Sequence, residues 1–302
     1  METLKNKIDF AVVLSVNNAN PNGDPLNGNR PRVSYENFGE ISDVCIKRKI
    51  RNRLMEAGKE IFVQSDDNKL DDYKSLRSRA EGEIPESERK DYKQYKEAAC
   101  KKWLDVRAFG QVFAYGGGGK KAKKGKKDVV EEGSQGDDNG VSVGIRGPVS
   151  IHSAFSITPV NISSVQITKS VSGEGDGSKR ASDTMGMKHR VDHGVYIFYG
   201  SMNPQLASKT GFNDQDAEDI KQAMLNLFEN DASSSRPEGS MEVIKLYWWK
   251  HNSNNGQYSS AKVHRSLEVK VKEGVAEAKS IDDYDIKVHM LEGLIPDIVD
   301  GR

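Results

Sequence analysis

The sequence is short of the features that would assign it quickly. It has two cysteines, Cys45 and Cys100, too few for a disulfide framework and without metal-ligand spacing. Long hydrophobic runs are missing, and a stretch such as 195–199 falls far below the ~20 residues of a membrane helix. Residues 1–7 are polar and lack the apolar stretch of a signal peptide. Net charge is also missing: 45 basic side chains face 45 acidic ones. That excludes a chain coated with positive charge but leaves room for a local basic groove. Neither a Walker-type phosphate loop nor a dinucleotide glycine fingerprint occurs. What is there is 302 residues, 35% hydrophobic and 30% charged, enough for one elaborated domain or two small ones, with part of the chain outside the core. The expectation is a cytoplasmic protein with no membrane contact, no cofactor and no metal.

Ile8, Phe10, Val12, Leu14 and Val16 alternate, which predicts a strand with one buried face. A turn-rich stretch follows over 17–32, with Asn22-Gly23-Asp24-Pro25 at its centre. Ile46, Ile50 and Leu54 then recur every four residues, a helix stripe with Ser42 as its cap. Residues 60–104, rich in Lys, Glu, Asp and Ser, predict helical pieces of an insertion. Residues 116–140 hold eight glycines and six lysines followed by five acids, and with so little to bury they are expected to be mobile. Val141, Val143, Ile145, Val149 and Ile151 resume the two-residue period, with Pro148 marking an edge or bulge. Val160/Ile162 and Val165/Ile167 alternate out of phase, which predicts a bulge or corner at Ser163-Ser164. Residues 172–178 form a Gly-rich tip. Further on, 195–199 fits a central strand, and Asn213 caps a helix with Ala217, Ile220, Met224, Leu227 and Phe228 on one face. The stretches 243–249, 263–271 and 284–288 predict more strands. Without insertions the order is strand, helix, strand, strand, helix, strand. That is an α+β, split βαβ or ferredoxin-like pattern, shared by RNA-recognition domains and by many other functions.

The first helix carries five basic residues within 47–53. Lys47, Arg48 and Arg51 fall away from the Ile46/Ile50 stripe, and only one acid lies nearby in sequence. Such a row tracks a phosphate backbone, or it is simply a solvated face. Arg146, between Gly144 and Gly147, offers a planar fork to phosphate or a structural ion pair. Met185, Met187, Lys188, His189 and Arg190 form a strip suited to unstacked bases with phosphates beside them, or the edge of a core strand. His189 and His193 have zinc-like spacing, but a strand-like run follows directly and no His-Glu-x-x-His motif is present. Asp24 sits in a polar loop, where turn chemistry is the simpler account.

Two stretches, Asn20-Pro21-Asn22-Gly23-Asp24-Pro25 and Asp43-Val44-Cys45-Ile46-Lys47-Arg48-Lys49-Ile50-Arg51, resemble the repeated backbone subunit of the type I-C CRISPR Cascade complex. So do Gly144-Ile145-Arg146-Gly147-Pro148-Val149 and the run from Met185 to Gly194. The resemblance implies a hand-shaped protein: an RNA-recognition-like palm (1–59, 141–154 and 193–302), a helical fingers insertion (60–140) and a β-hairpin thumb (155–192). Copies would stack along one guide RNA, each thumb displacing one nucleotide in six. Partners would be guide RNA, further copies of the chain, target DNA through the guide, and other Cascade subunits at the filament ends. Guide contacts would fall on Asn20, Lys47, Arg48, Arg51, Arg146, Gln166, Thr168, Met185, Met187, Lys188, His189 and Arg190. Type I members do not cut nucleic acid. Related type III subunits cleave RNA with an aspartate after the first strand, which makes a metal-dependent RNase using Asp24 the main alternative. A free-standing RNA-binding module is a third.

Overall fold

The computed structural model describes residues 2–114, 142–168 and 185–302. The expected mobile loop over 116–140 and the Gly-rich tip over 172–178 lie outside the described residues. Along the chain come β1 (Ile8–Ala19), β2 (Phe38–Ile41), α1 (Asp43–Glu56), β3 (Val149–Ile151), β4 (Ala154–Pro159), β5 (Ile162–Thr168) and β6 (Met185–Met202). After these follow α2 (Asp214–Leu225), β7 (Met241–Lys250), β8 (Leu267–Val271), β9 (Tyr284–Val288) and β10 (Asp297–Asp300). Among the described residues the main sheet has eight strands in the order β10-β7-β1-β6-β4-β2, with β3 and β5 also paired to β6. Its central four, β7-β1-β6-β4, are antiparallel neighbours, the order a split βαβ unit produces when α1 and α2 cross one face.

Alternation in β1 sends Phe10, Val12, Leu14 and Val16 to the helix side, where they pack with Ile46, Ile50 and Leu54 of α1 and Ile220 and Met224 of α2. Ser42 caps α1, its hydroxyl accepting from Cys45 N at 3.4 Å. Asn213 and Asp216 close a capping box on α2. The opposite face of the sheet is covered too. Ala11, Val13, Val195, Ile197 and Trp249 meet Val263, Leu267 and Tyr284, so the β8–β9 hairpin and the short helix Ser260–His264 lie where an RNA-recognition sheet would be open. Val263, expected in a strand, belongs to that helix.

A separate cluster joins Phe62, Tyr95, Trp103 and Phe113 to Val143 and Ile145. Strand Val143–Arg146 pairs with Gly110–Phe113, not with the main sheet. The chain changes sheet at Gly147-Pro148. A Cβ on Gly147 would meet Ala108 O at 2.2 Å, so the glycine serves close approach of two backbones.

β6 runs well beyond the sheet: it pairs with β5 from Met185↔Thr168 to Val191↔Ile162, and β1 joins it only from Val191 onward, opposite Ala19. The expected bulge at Ser163-Ser164 is absent: that pairing is continuous. The phase changes because the ribbon leaves the core. Val160 is buried, whereas Val165 and Ile167 are each 50% exposed. A second phase change occurs at Asn18, with φ 52°. Val16 and Ala19, three apart, both reach the helix-side core, because a left-handed residue rotates the chain between them.

Candidate nucleic-acid interface

The N-terminal half of α1, the turn after β1, and residues 63–65 enclose a groove of about 630 Å³. Asn22 ties the turn to the helix, its Oδ1 accepting from Ser42 N at 3.0 Å and Ser42 Oγ at 2.8 Å. Arg32, Arg48, Lys49, Arg51 and Arg236 line it. Four of these hold carboxylates: Arg32 lies 3.5 Å from Asp24, Arg51 Nε 2.9 Å from Asp105, and Arg236 3.1 Å from Asp231, which Lys49 also meets. Cations still outnumber acids, so the groove keeps positive potential.

An α1 face without acidic partners is therefore corrected. Lys47 pairs with Asp43 at 2.9 Å in the i,i+4 geometry. Arg51 is anchored on Asp105, which is 1% exposed and also accepts from Phe62 N and Val63 N. Its guanidinium lies 5.0 Å from the Phe109 ring centroid. Of the three expected phosphate contacts only Arg48 has no ion-pair partner among the described residues, and it faces the groove. Asp43 is visible to helical spacing, four residues before Lys47, whereas the Arg51 partner Asp105 is not, because it arrives from an element distant in sequence.

Asn20 is held inside the turn, with its Oδ1 buried and without a hydrogen-bond partner among the described residues. It is 3% exposed, and its amide nitrogen donates to Asn29 O at 2.7 Å, closing the turn. Arg146 is exposed at the strand end and has no ion pair among the described residues. It does not line the groove.

The β5–β6 ribbon divides the remaining site residues by parity. Opposed partners in the register share a face, so Met185, Met187, His189, Gln166 and Thr168 lie on one side and Lys188, Arg190, Val165 and Ile167 on the other. Methionines and cations do not form a single strip; strand period two separates them. The methionine face looks toward the turn: Arg30 donates to Ser164 Oγ at 3.1 Å, and Ser164 Oγ meets His189 Nδ1 at 2.8 Å. Met185 and Met187 are 60% and 54% exposed, with Gln166 Nε2 on Met185 Sδ at 2.7 Å. Arg30, Arg32 and Arg236 were missed. The first two lie in a stretch read as turn chemistry, and Arg236 carries no periodic signal.

Other chemistry has weak support. Asp24 Oδ1 accepts from Leu26 N at 3.2 Å as a turn cap. Burial pushes the half-buried Cys45 thiol up, away from thiolate chemistry. His189 and His193 stand on a strand, not a helix. Among the described residues no three His, Cys, Asp or Glu side chains cluster to hold a metal, and no helix is long and apolar enough to cross a membrane.

A ferredoxin-like sheet closed on both faces, with a projecting ribbon and a cation-lined groove at its root, defines a class of α+β proteins with a charged groove at the sheet's end. Within that class the chain belongs to the CRISPR-associated protein Cas7 family, whose model matches residues 6–289. It is 23% identical over 235 residues to a CRISPR-associated protein Cas7 of Haloferax volcanii, covering 77% of this chain and 67% of the relative. It is also similar to a chain of a CRISPR RNA-guided surveillance complex in a pre-nicking state, with TM-score 0.42, 11% identity and coverage of 80% of this chain and 78% of that one. For a chain of a second CRISPR RNA-guided surveillance complex the values are 0.43, 14%, 80% and 68%.

Proposed function

We propose that this chain grips a single-stranded guide RNA without cutting it. Copies assemble side by side along one guide, in the cytoplasm, and present it for pairing with target DNA. The observation that carries this reading is the cation-lined groove, where Arg48 has no ion-pair partner among the described residues, continuous with a ribbon too exposed to be stable on its own. In the terms of the family, the closed sheet serves as palm, residues 60–140 as fingers and 155–192 as thumb. Phosphate and shape then dominate affinity, so guide sequence matters little, and pairing reads the target. The RNase alternative loses ground because Asp24 is engaged by its own turn and by Arg32. Purification from cells expressing repeat-spacer RNA, followed by sequencing of the bound nucleic acid, tests the proposal. Guide-length RNA of many sequences is expected. Recovery of no nucleic acid, or of one conserved sequence, would sink it.

A further inference from the structure

Four asparagines in the sequence precede a glycine: Asn22, Asn27, Asn139 and Asn255. The pair is chemically fragile. Glycine leaves its own backbone nitrogen free to swing onto the asparagine side-chain carbonyl, and asparagine is a thermolabile residue. Asn139 lies outside the described residues. The fold treats the other three differently. Asn22 is clamped: its Oδ1 accepts from Ser42 N and Ser42 Oγ, and its Nδ2 donates to Gly23 O at 3.4 Å. Gly23 is hemmed in, since a Cβ there would meet Asn29 Oδ1 at 2.0 Å. Asn255 accepts from Gln205 Nε2, and a Cβ on Gly256 would lie 2.9 Å from Lys7 Cδ and 3.1 Å from Tyr258 O. Asn27 has no such restraint. Its side chain has no hydrogen-bond partner among the described residues. It ends the short 3-10 turn Pro25–Asn27, and Gly28 follows with φ 58° and open space where a Cβ would stand. Residues 25–29 are all exposed, so packing does not hold this tip.

We propose that Asn27 is a site of spontaneous deamidation, and that the acid formed there weakens the hold of the groove on a phosphate chain. The Gly28 nitrogen attacks Asn27 Cγ. The new N–Cγ bond replaces the Cγ–Nδ2 bond, and the Gly28 amide proton leaves with Nδ2 as ammonia. Water then opens the five-membered imide at either carbonyl. One product is aspartate; the other is isoaspartate, whose main chain runs through Cγ. Nothing is oxidised or reduced, and each product carries one more negative charge. Pro25 lines the cationic groove, and two residues along the chain separate Cα atoms by no more than about 7 Å. At that range a like charge still repels a bound phosphate, because it lies within a Debye length. This effect on binding rests on the guide-RNA reading above; the chemistry of the turn does not.

In the test the full chain is aged in mildly alkaline buffer made with heavy-oxygen water, and fragment masses locate each new acid. In the folded chain Asn27 is expected to convert at least tenfold faster than Asn22 or Asn255, and in strong urea the three rates should converge. An unchanged Asn27, equal rates in the folded chain, or a ratio that survives urea overturns the assignment. Asn27→Asp should bind single-stranded RNA about two- to threefold more weakly than wild type at low salt. Aged wild type should weaken in proportion to its conversion. Aged Asn27→Gln should not, because its longer side chain closes the larger ring far more slowly. Equal binding by Asn27→Asp and wild type overturns the effect on the groove and leaves the guide-RNA reading standing. A fresh wild-type chain that binds no RNA at low salt overturns that reading, while the masses still decide the fate of Asn27.

Discussion

Arg48 and Arg51 sit one turn apart on α1 and should fail differently. Arg48→Ala removes a cation with no ion-pair partner among the described residues, so folding should be unaffected while the log–log salt slope of RNA binding flattens by about 0.7, one phosphate on a single strand. Arg51→Ala strands the buried Asp105, and urea unfolding should report a loss of about 3 kcal/mol. Equal slope changes with equal stabilities would show that both are surface cations. Acid should also loosen the molecule. Burial lowers the His264 imidazole, outweighing the pull of Asp9. The unfolded state therefore takes up the proton first, and stability present above pH ~6.5 is lost as pH falls toward the folded value. Asp9 follows at lower pH. Burial raises its carboxyl, but hydrogen bonds from His251 and Ser260 and the nearby Lys7 outweigh that and hold it below the ordinary range. Its contribution is complete above pH ~3.8 and lost as pH falls below that. The expected result is a melting temperature that declines from pH 7 to 5, less steeply in His264→Gln; a flat profile refutes it. Residue types were legible in the sequence, but their partners were not. A cation's neighbour along the chain is known, whereas Asp105 and Asp231 come near only on folding.

The ribbon is the element whose reading changed most. Its position, composition and two arms follow from alternating residues and a glycine-rich tip, yet the composition was treated as one strip where the pleat makes two faces. Because Met185 and Met187 share their side with Arg30 and His189, bound guide RNA should slow peroxide oxidation of both methionines and leave acetylation of Lys188 unchanged. Equal protection of both faces would contradict this assignment. Removing 165–190 should leave a folded protein, since Ile162 and Val191 keep their register pair and the core lies elsewhere. Light scattering should then find no ordered assembly on RNA, whereas guide-length filaments formed by the deletion variant would show that the ribbon is dispensable. α1 and α2 were legible from their stripes and caps. The β8–β9 cover was half legible: the strands were expected, but nothing local says that they lie across the face an RNA-recognition sheet leaves open.

For the whole molecule the proposed reading has copies lying along one guide with a displaced nucleotide at a fixed interval. Mismatches at every sixth guide position should leave target binding nearly unchanged, while mismatches between them weaken it; tolerance without a period would refute the stacked arrangement. The sheet that supports this is stitched from the two ends of the chain. Ile8 pairs with Met202 on one side and with Lys250 on the other. On the ribosome, β1 emerges first and has neither neighbour. At about 5–20 residues per second, roughly 10–40 s pass before β6 is complete, and longer before β7. Throughout that interval the apolar alternation of β1 is an unpaired edge, available to any other nascent strand. A cell translating many copies from one message exposes many such edges at once, so yield of the folded subunit should depend on holdase chaperones and on slow initiation more than on the stability of the finished fold.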